Sequence, residues 1–116
     1  MSLGYRDKIL RAAGFMEGEG SFSWKANPVR GNRNKTGTHW MAAGQYAKEP
    51  LQGLQELFGG TICQRTRPKG FNVWTVTGAN ARGAMMMLYP FLSPRRQTRI
   101  KELLSRPGKW QTRVHK

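Results

Sequence analysis

At 116 residues and 13.2 kDa the chain is long enough to bury one core and too short for two. Twenty Lys and Arg against six Asp and Glu give a formal charge of +14, so a compact monomer repels itself unless an anion is near, and nucleic acid is the usual one. An apolar fraction of 38% with four Trp, five Phe and three Tyr excludes a disordered basic tail, while one Cys and two His exclude an internal disulfide, a zinc cage and a nuclease built on several histidines.

The opening stretch Met1-Ser2-Leu3-Gly4-Tyr5 has no signal-peptide apolar core, and no apolar run or basic amphipathic helix suits a membrane. A cytosolic or nuclear setting without a membrane partner is expected. Residues 5–17 carry Ile9, Ala12 or Ala13, and Met16 at helical spacing, with Arg6, Asp7, Lys8 and Arg11 on the other side; Gly18 and Gly20 are expected to end this helix. Ala13, Gly14 and Gly18 leave a stripe with almost no side chain, against which either the chain's own sheet or a second copy of the helix could pack.

Residues 21–26 alternate, Phe22 and Trp24 against Ser21, Ser23 and Lys25, as a strand with one buried face does. Residues 27–37 include Pro28, Arg30, Gly31, Asn32, Arg33, Asn34 and Lys35 without an apolar period; this is a loop whose cations suit phosphate. A second strand is expected over 38–46, and Lys48-Glu49-Pro50 reads as a helix start. Leu51, Leu54, Leu57 and Phe58 give that helix its apolar stripe, closed by Gly59-Gly60. Runs 61–67 and 71–77, joined around Pro68-Lys69-Gly70, read as a hairpin with Arg65, Arg67 and Lys69 near its tip. Ala79 to Leu88 reads as a helix through Ala81, Ala84, Met85 and Leu88, its three consecutive Met filling gaps rather than binding a soft metal. Pro90 and Pro94 bracket a short link, a last helix runs to about Leu104, and 107–116 is expected to be a flexible basic tail.

Two strand-strand-helix units in succession predict an α+β domain over 1–116: a four-stranded, mainly antiparallel sheet with helices on one face, in the order α-β-β-α-β-β-α. The other sheet face is left open. Ser21, Ser23, Lys25 and Asn27 are expected there, with Gln64 and Thr66 or their alternates Arg65 and Arg67, to meet base edges while basic loops hold phosphates.

Glu17 and Glu19 stand among glycines where helix gives way to strand. Phosphodiester hydrolysis needs an activated water and a stabilised leaving oxygen, and carboxylate-held divalent ions supply both. Were two copies of the first helix to pack through Gly14 and Gly18, two Glu19 carboxylates would meet beside a two-fold axis, a geometry that calls for a hard cation such as Mg²⁺.

Ala12 to Gly20, running on into Ser21-Phe22, resembles the helix-ending motif of the LAGLIDADG homing endonucleases. The resemblance extends through 44–51, through Leu54-Gln55-Glu56-Leu57-Phe58-Gly59-Gly60 and through Leu88 to Arg96, covering roughly residues 5–105. Ala12 replaces the usual Leu of the motif, and both acids are Glu where the family name has Asp. A single motif implies a homodimer, joined through Ala13, Gly14 and Gly18, that binds double-stranded DNA. It implies a staggered double-strand cut across the minor groove, with Mg²⁺ or Mn²⁺ as cofactor. Glu19 matches the metal-binding acid, helped by the Gly18 carbonyl; Gln45 matches a polar residue near the catalytic water, and Arg95 the basic residue facing the scissile phosphate. Glu17 is then structural. DNA contacts are expected from Ser23, Lys25, Asn27, Arg30, Arg33, Lys35, Gln64, Arg65, Thr66, Arg67, Lys69 and Arg96. The expected setting is a bacterial or phage cytoplasm or an organelle. The alternative on the same fold is a binding protein without cleavage, an intron RNA maturase or a DNA-binding regulator; a general nucleic-acid-coating protein would leave the acidic pair unexplained.

Overall fold

Side chains two apart on a strand share a face, so the pairing register sorts the sheet into a buried and an open side. The computed structural model describes residues 4–26 and 37–106. Within them lie α1 (Tyr5–Glu19), β1 (Gly20–Ala26), β2 (Gly37–Gln45), α2 (Glu49–Phe58), β3 (Thr61–Gln64), β4 (Asn72–Thr77), α3 (Gly78–Leu88), a 3₁₀ turn (Tyr89–Phe91) and α4 (Pro94–Leu104). The four strands make one antiparallel sheet in the order β1-β2-β4-β3. This is the α+β architecture expected from the two strand-strand-helix units.

On the buried side, Phe22 pairs with Met41 and Met41 with Val76, while Ala43 pairs with Trp74 and Trp74 with Ile62. Onto these rows α1 lays Ile9, Ala12, Ala13 and Met16; α2 lays Leu51, Leu54 and Phe58; α3 lays Ala81, Ala84, Met85 and Leu88; α4 adds Ile100 and Leu103. Trp74, fully buried at the centre, meets the cost of burying its indole N–H by donating to the Gly59 carbonyl at 2.9 Å. That bond depends on the turn closing α2. Gly60 has φ of +95°, and a Cβ there would meet the Thr75 carbonyl oxygen at 2.5 Å.

Two boundaries differ from the sequence reading by two residues or more. The first helix continues to Glu19, two residues past its expected end, because Gly18 is tolerated inside a packed helix at a cost of about 1 kcal/mol. The chain turns instead at Gly20, where a Cβ would lie 2.7 Å from the Met16 carbonyl oxygen that accepts the Gly20 N–H. The third strand stops at Gln64 rather than 67, since Gly70 N–H to Arg65 O, Arg65 N–H to Phe71 O and Phe71 N–H to Pro68 O turn the chain early. Residues 27–36 and 107–116, with the expectations of a basic loop and a flexible tail, lie outside the described residues. Among the described residues, no helix is long and apolar enough to cross a membrane.

Candidate nucleic-acid interface and active site

The open side of the sheet follows from the same register. Ser21, Ala42, Thr75 and Thr61 form one row across all four strands; Ser23, Trp40 and Thr77 form a second, Gly44, Val73 and Cys63 a third, and Lys25 pairs with Thr38. Small and hydroxyl-bearing side chains dominate these rows, which suits a surface that approaches base edges closely. The Lys25 ammonium lies 5.0 Å from the Trp40 ring centroid, a cation–π contact that pre-places a charge over the face.

Of the expected DNA-contacting residues, Ser23 and Lys25 are on this face. Arg65, Thr66, Arg67 and Lys69 are exposed in or beside the hairpin turn. Asn27, Arg30, Arg33 and Lys35 lie outside the described residues. The register sends Gln64 to the helix side instead, in a row with Asn72 and Gln45, while of its alternates Arg65 borders the open face beside Ser21, Gly44 and Val73 and Arg67 lies in the turn. Arg96 is turned inward: its Nη2 donates to the Glu17 carbonyl at 3.0 Å, and its guanidinium lies 5.5 Å from the Phe22 ring centroid. Within the chain, the cation expected to contact DNA is engaged by Glu17 and Phe22. Trp40, Thr61, Cys63, Thr75 and Thr77 share the open face without having been expected there, although the alternation of Thr75 and Thr77 with Trp74 and Val76 carried the signal.

At one end of the open face, where α1 meets β1, is a depression of about 350 Å³ bordered by Glu19, Ser21, Gly44, Arg65, Phe71 and Val73. It brings together an acid and a cation far apart in the chain. The Glu19 side chain is exposed and has neither a hydrogen bond nor an ion pair among the described residues. Gly18 precedes it in the last turn of α1, where helix geometry leaves carbonyls without an intrahelical donor.

Glu17 is engaged elsewhere. Its Oε1 accepts the Ser93 N–H at 2.9 Å and its Oε2 accepts the Ser93 hydroxyl at 2.8 Å. The Ser93 N–H first, then the Ser93 hydroxyl, hold the Glu17 carboxyl below its ordinary range against some loss of water, with smaller help from Arg96 and Arg95. Ser93 is the N-cap of α4, so Glu17 closes the start of that helix. Arg95 is exposed in the first turn of α4, close enough for its charge to act on Glu17.

Gln45 is not at the depression. Its Oε1 accepts the Tyr46 N–H at 3.1 Å, and its register partner is the buried Asn72. The three residues expected at a helix-helix seam divide as well. Ala13 is 1% exposed and belongs to the chain's own core, so its assignment to the seam is corrected; Gly14 and Gly18 are exposed, with open space where a Cβ would stand.

Elsewhere, His39 is buried between sheet and helices. A carbonyl only accepts, so the 2.7 Å contact of His39 Nε2 with Leu103 O puts the proton on Nε2; Arg82 Nη1, 3.3 Å away, adds a positive charge. Burial first, and Arg82 next to oppose protonation, outweigh the Leu103 bond and lower the pKa of this imidazole.

No family model matches the chain, and no curated protein does. Among solved structures, the chain is similar to the homing endonuclease I-CvuI in complex with the I-CreI target, with TM-score 0.70 and 20% identity over 86% of this chain and 65% of that one. It is similar to the archaeal intron-encoded homing endonuclease I-Vdi141I complexed with DNA, with TM-score 0.67 and 19% identity over 88% and 69% of the two chains. It is also similar to the LAGLIDADG meganuclease I-CpaMI bound to uncleaved DNA, with TM-score 0.64 and 18% identity over 90% and 36%. The fold is therefore that of the LAGLIDADG homing endonucleases. The chain spans just under two thirds of the I-CvuI chain.

Proposed function

We propose that this chain is a sequence-specific DNA endonuclease, divalent-metal-dependent, that acts as a homodimer and makes a staggered double-strand cut across the minor groove. The observation that carries the reading is Glu19: an exposed carboxylate without an internal partner among the described residues, set in a depression at the end of the open sheet face in a chain of charge +14. A free acid on a strongly cationic DNA-facing surface repels phosphate and is costly there unless a cation joins the two. Binding of the fold neighbours to DNA, as their complexes record, supports the same reading.

Among the described residues no group of three or more His, Cys, Asp and Glu could hold a metal. One carboxylate per chain nevertheless fits Mg²⁺, which keeps several waters and is held by one or two carboxylates together with substrate phosphates. Glu19, with the Gly18 carbonyl beside it, would hold the ion, and a second copy packed along Gly14 and Gly18 would bring a second Glu19 to the same axis. The ion, when bound, supplies an activated water and charge stabilisation on the leaving oxygen. Arg95 and Arg65 would place the phosphate; Ser21, Ser23, Thr61, Thr75 and Thr77 would read bases, with Lys25 and the hairpin cations on the backbone.

The test is Glu19→Gln, which keeps shape and removes charge. DNA binding persists and Mg²⁺- or Mn²⁺-dependent cutting of a randomised DNA library is lost. Wild-type binding without any metal-dependent cutting would instead establish a binding protein on this fold.

A further inference from the structure

Apolar burial of Ile100 and Leu103 sets how deeply α4 sits on the sheet, but such contacts tolerate sliding and rotation of a helix about its axis. The polar first turn removes that freedom. The Ser93 N–H and hydroxyl both donate to the Glu17 carboxylate, Arg96 Nη2 donates to the Glu17 carbonyl at 3.0 Å, and Arg96 Nε lies 3.9 Å from Glu17 Oε2. The caps are reciprocal. Glu17 satisfies the start of α4, and Arg96 satisfies a carbonyl in the last turn of α1. An acid in the last turn of its own helix faces the negative pole of that helix, whereas the same acid at the start of the next helix faces a positive one. Its place in the motif is explained by α4 and not by α1.

Arg95 stands between two residues tethered to Glu17, and Glu19 lies two positions beyond Glu17. We infer that Glu17 is a positioning residue: its clasp with Ser93 and Arg96 fixes Arg95 relative to Glu19, and so aligns the two charged groups that meet the scissile phosphate. This rests on the endonuclease reading above. Glu17 itself touches neither substrate nor metal in this arrangement, its carboxylate being occupied by Ser93.

The experiment measures single-turnover cleavage at saturating protein, and DNA affinity by anisotropy without metal, for wild type, Ser93→Ala, Ser93→Thr, Arg95→Ala and the double variant Ser93→Ala with Arg95→Ala. Ser93→Ala slows cleavage by about tenfold or more, as a displaced catalytic group does, while affinity stays within about twofold. Ser93→Thr, which keeps the hydroxyl, restores the rate. The double variant is no slower than Arg95→Ala alone, because once the Arg95 guanidinium is removed the clasp has nothing left to place. If the two losses multiply, or if affinity falls as much as rate, the clasp is merely structural and the inference is overturned. Should Ser93→Ala fail to fold, Glu17→Gln serves in its place, since it keeps an acceptor for the Ser93 N–H and loosens the clasp. A wild-type protein that does not cut, or a Glu19→Gln variant that does, overturns the endonuclease reading and this inference with it.

Discussion

The Glu17 carboxylate and Ser93, 76 positions apart, are joined by two hydrogen bonds of 2.9 and 2.8 Å. That pairing divides the labour of two acids that look alike in the sequence. Glu17 is committed to the start of α4, and Glu19 is left exposed in the depression beside Arg65. Four expectations follow, each open to a measurement on the isolated chain or its DNA complex.

Ser93→Ala removes both the N-cap of α4 and one donor to Glu17. A lost Ser cap costs about 0.5–2 kcal/mol, so the thermal midpoint falls by several degrees. Glu19→Gln, whose side chain has no partner among the described residues, leaves the midpoint within about a degree, as surface substitutions do. Calorimetry of the two variants side by side checks the division.

Gly14 and Gly60 are opposite kinds of glycine. Gly14→Leu meets open space in the single chain, so the fold is kept or slightly stabilised by the gain of up to about 1 kcal/mol in helix propensity. In the proposed homodimer it separates the paired helices, and sedimentation shows dissociation. Gly60→Ala strains a backbone at φ +95° and collides with the Thr75 carbonyl, so it unfolds the chain at lower temperature whatever the oligomeric state.

Arg65 and Arg96 are both cations, yet only one faces outward. Arg65→Ala lowers DNA affinity and reduces the slope of log K against log salt by about 1, the signature of one lost phosphate contact. Arg96→Ala, which removes a donor from the Glu17 carbonyl and the cover over Phe22, lowers the thermal midpoint with the salt slope unchanged. An equal slope change for both would place Arg96 on DNA after all.

His39 gives the pH dependence a definite sign. Its folded pKa is lowered from 6.5, so below that pH the unfolded chain binds a proton that the native chain refuses. Stability is full above about 6.5 and declines as pH falls through it toward the folded value. His39→Gln is less stable at pH 7.5 but loses the decline that sets in below about pH 6.5, as urea midpoints measured above and below that pH show.

Much of this was legible in the sequence. The alternation of Phe22 and Trp24 with Ser21, Ser23 and Lys25 fixed the faces of β1, and the 3.6-residue spacing of Leu51, Leu54 and Phe58 gave α2, since both patterns are local and repeat with the element's own period. The acidic pair could be singled out because acids among glycines at a helix-to-strand junction are locally unusual, and the motif resemblance pointed to Glu19. What the sequence could not decide was anything that depends on two distant segments meeting. The register of β3 against β4 put Gln64 on the helix side of the sheet and left Arg65 on the open side, because a one-residue shift exchanges the two faces of a strand. The rotation of α1 on the sheet buried Ala13 while leaving its neighbour Gly14 in solvent. The docking of α4 made Arg96 a cap for α1 and gave Glu17 its partner. Local pattern determined the elements and nominated the acidic pair, whereas packing between elements decided which charges were free to act, because a side chain's availability depends on what the rest of the fold brings to it.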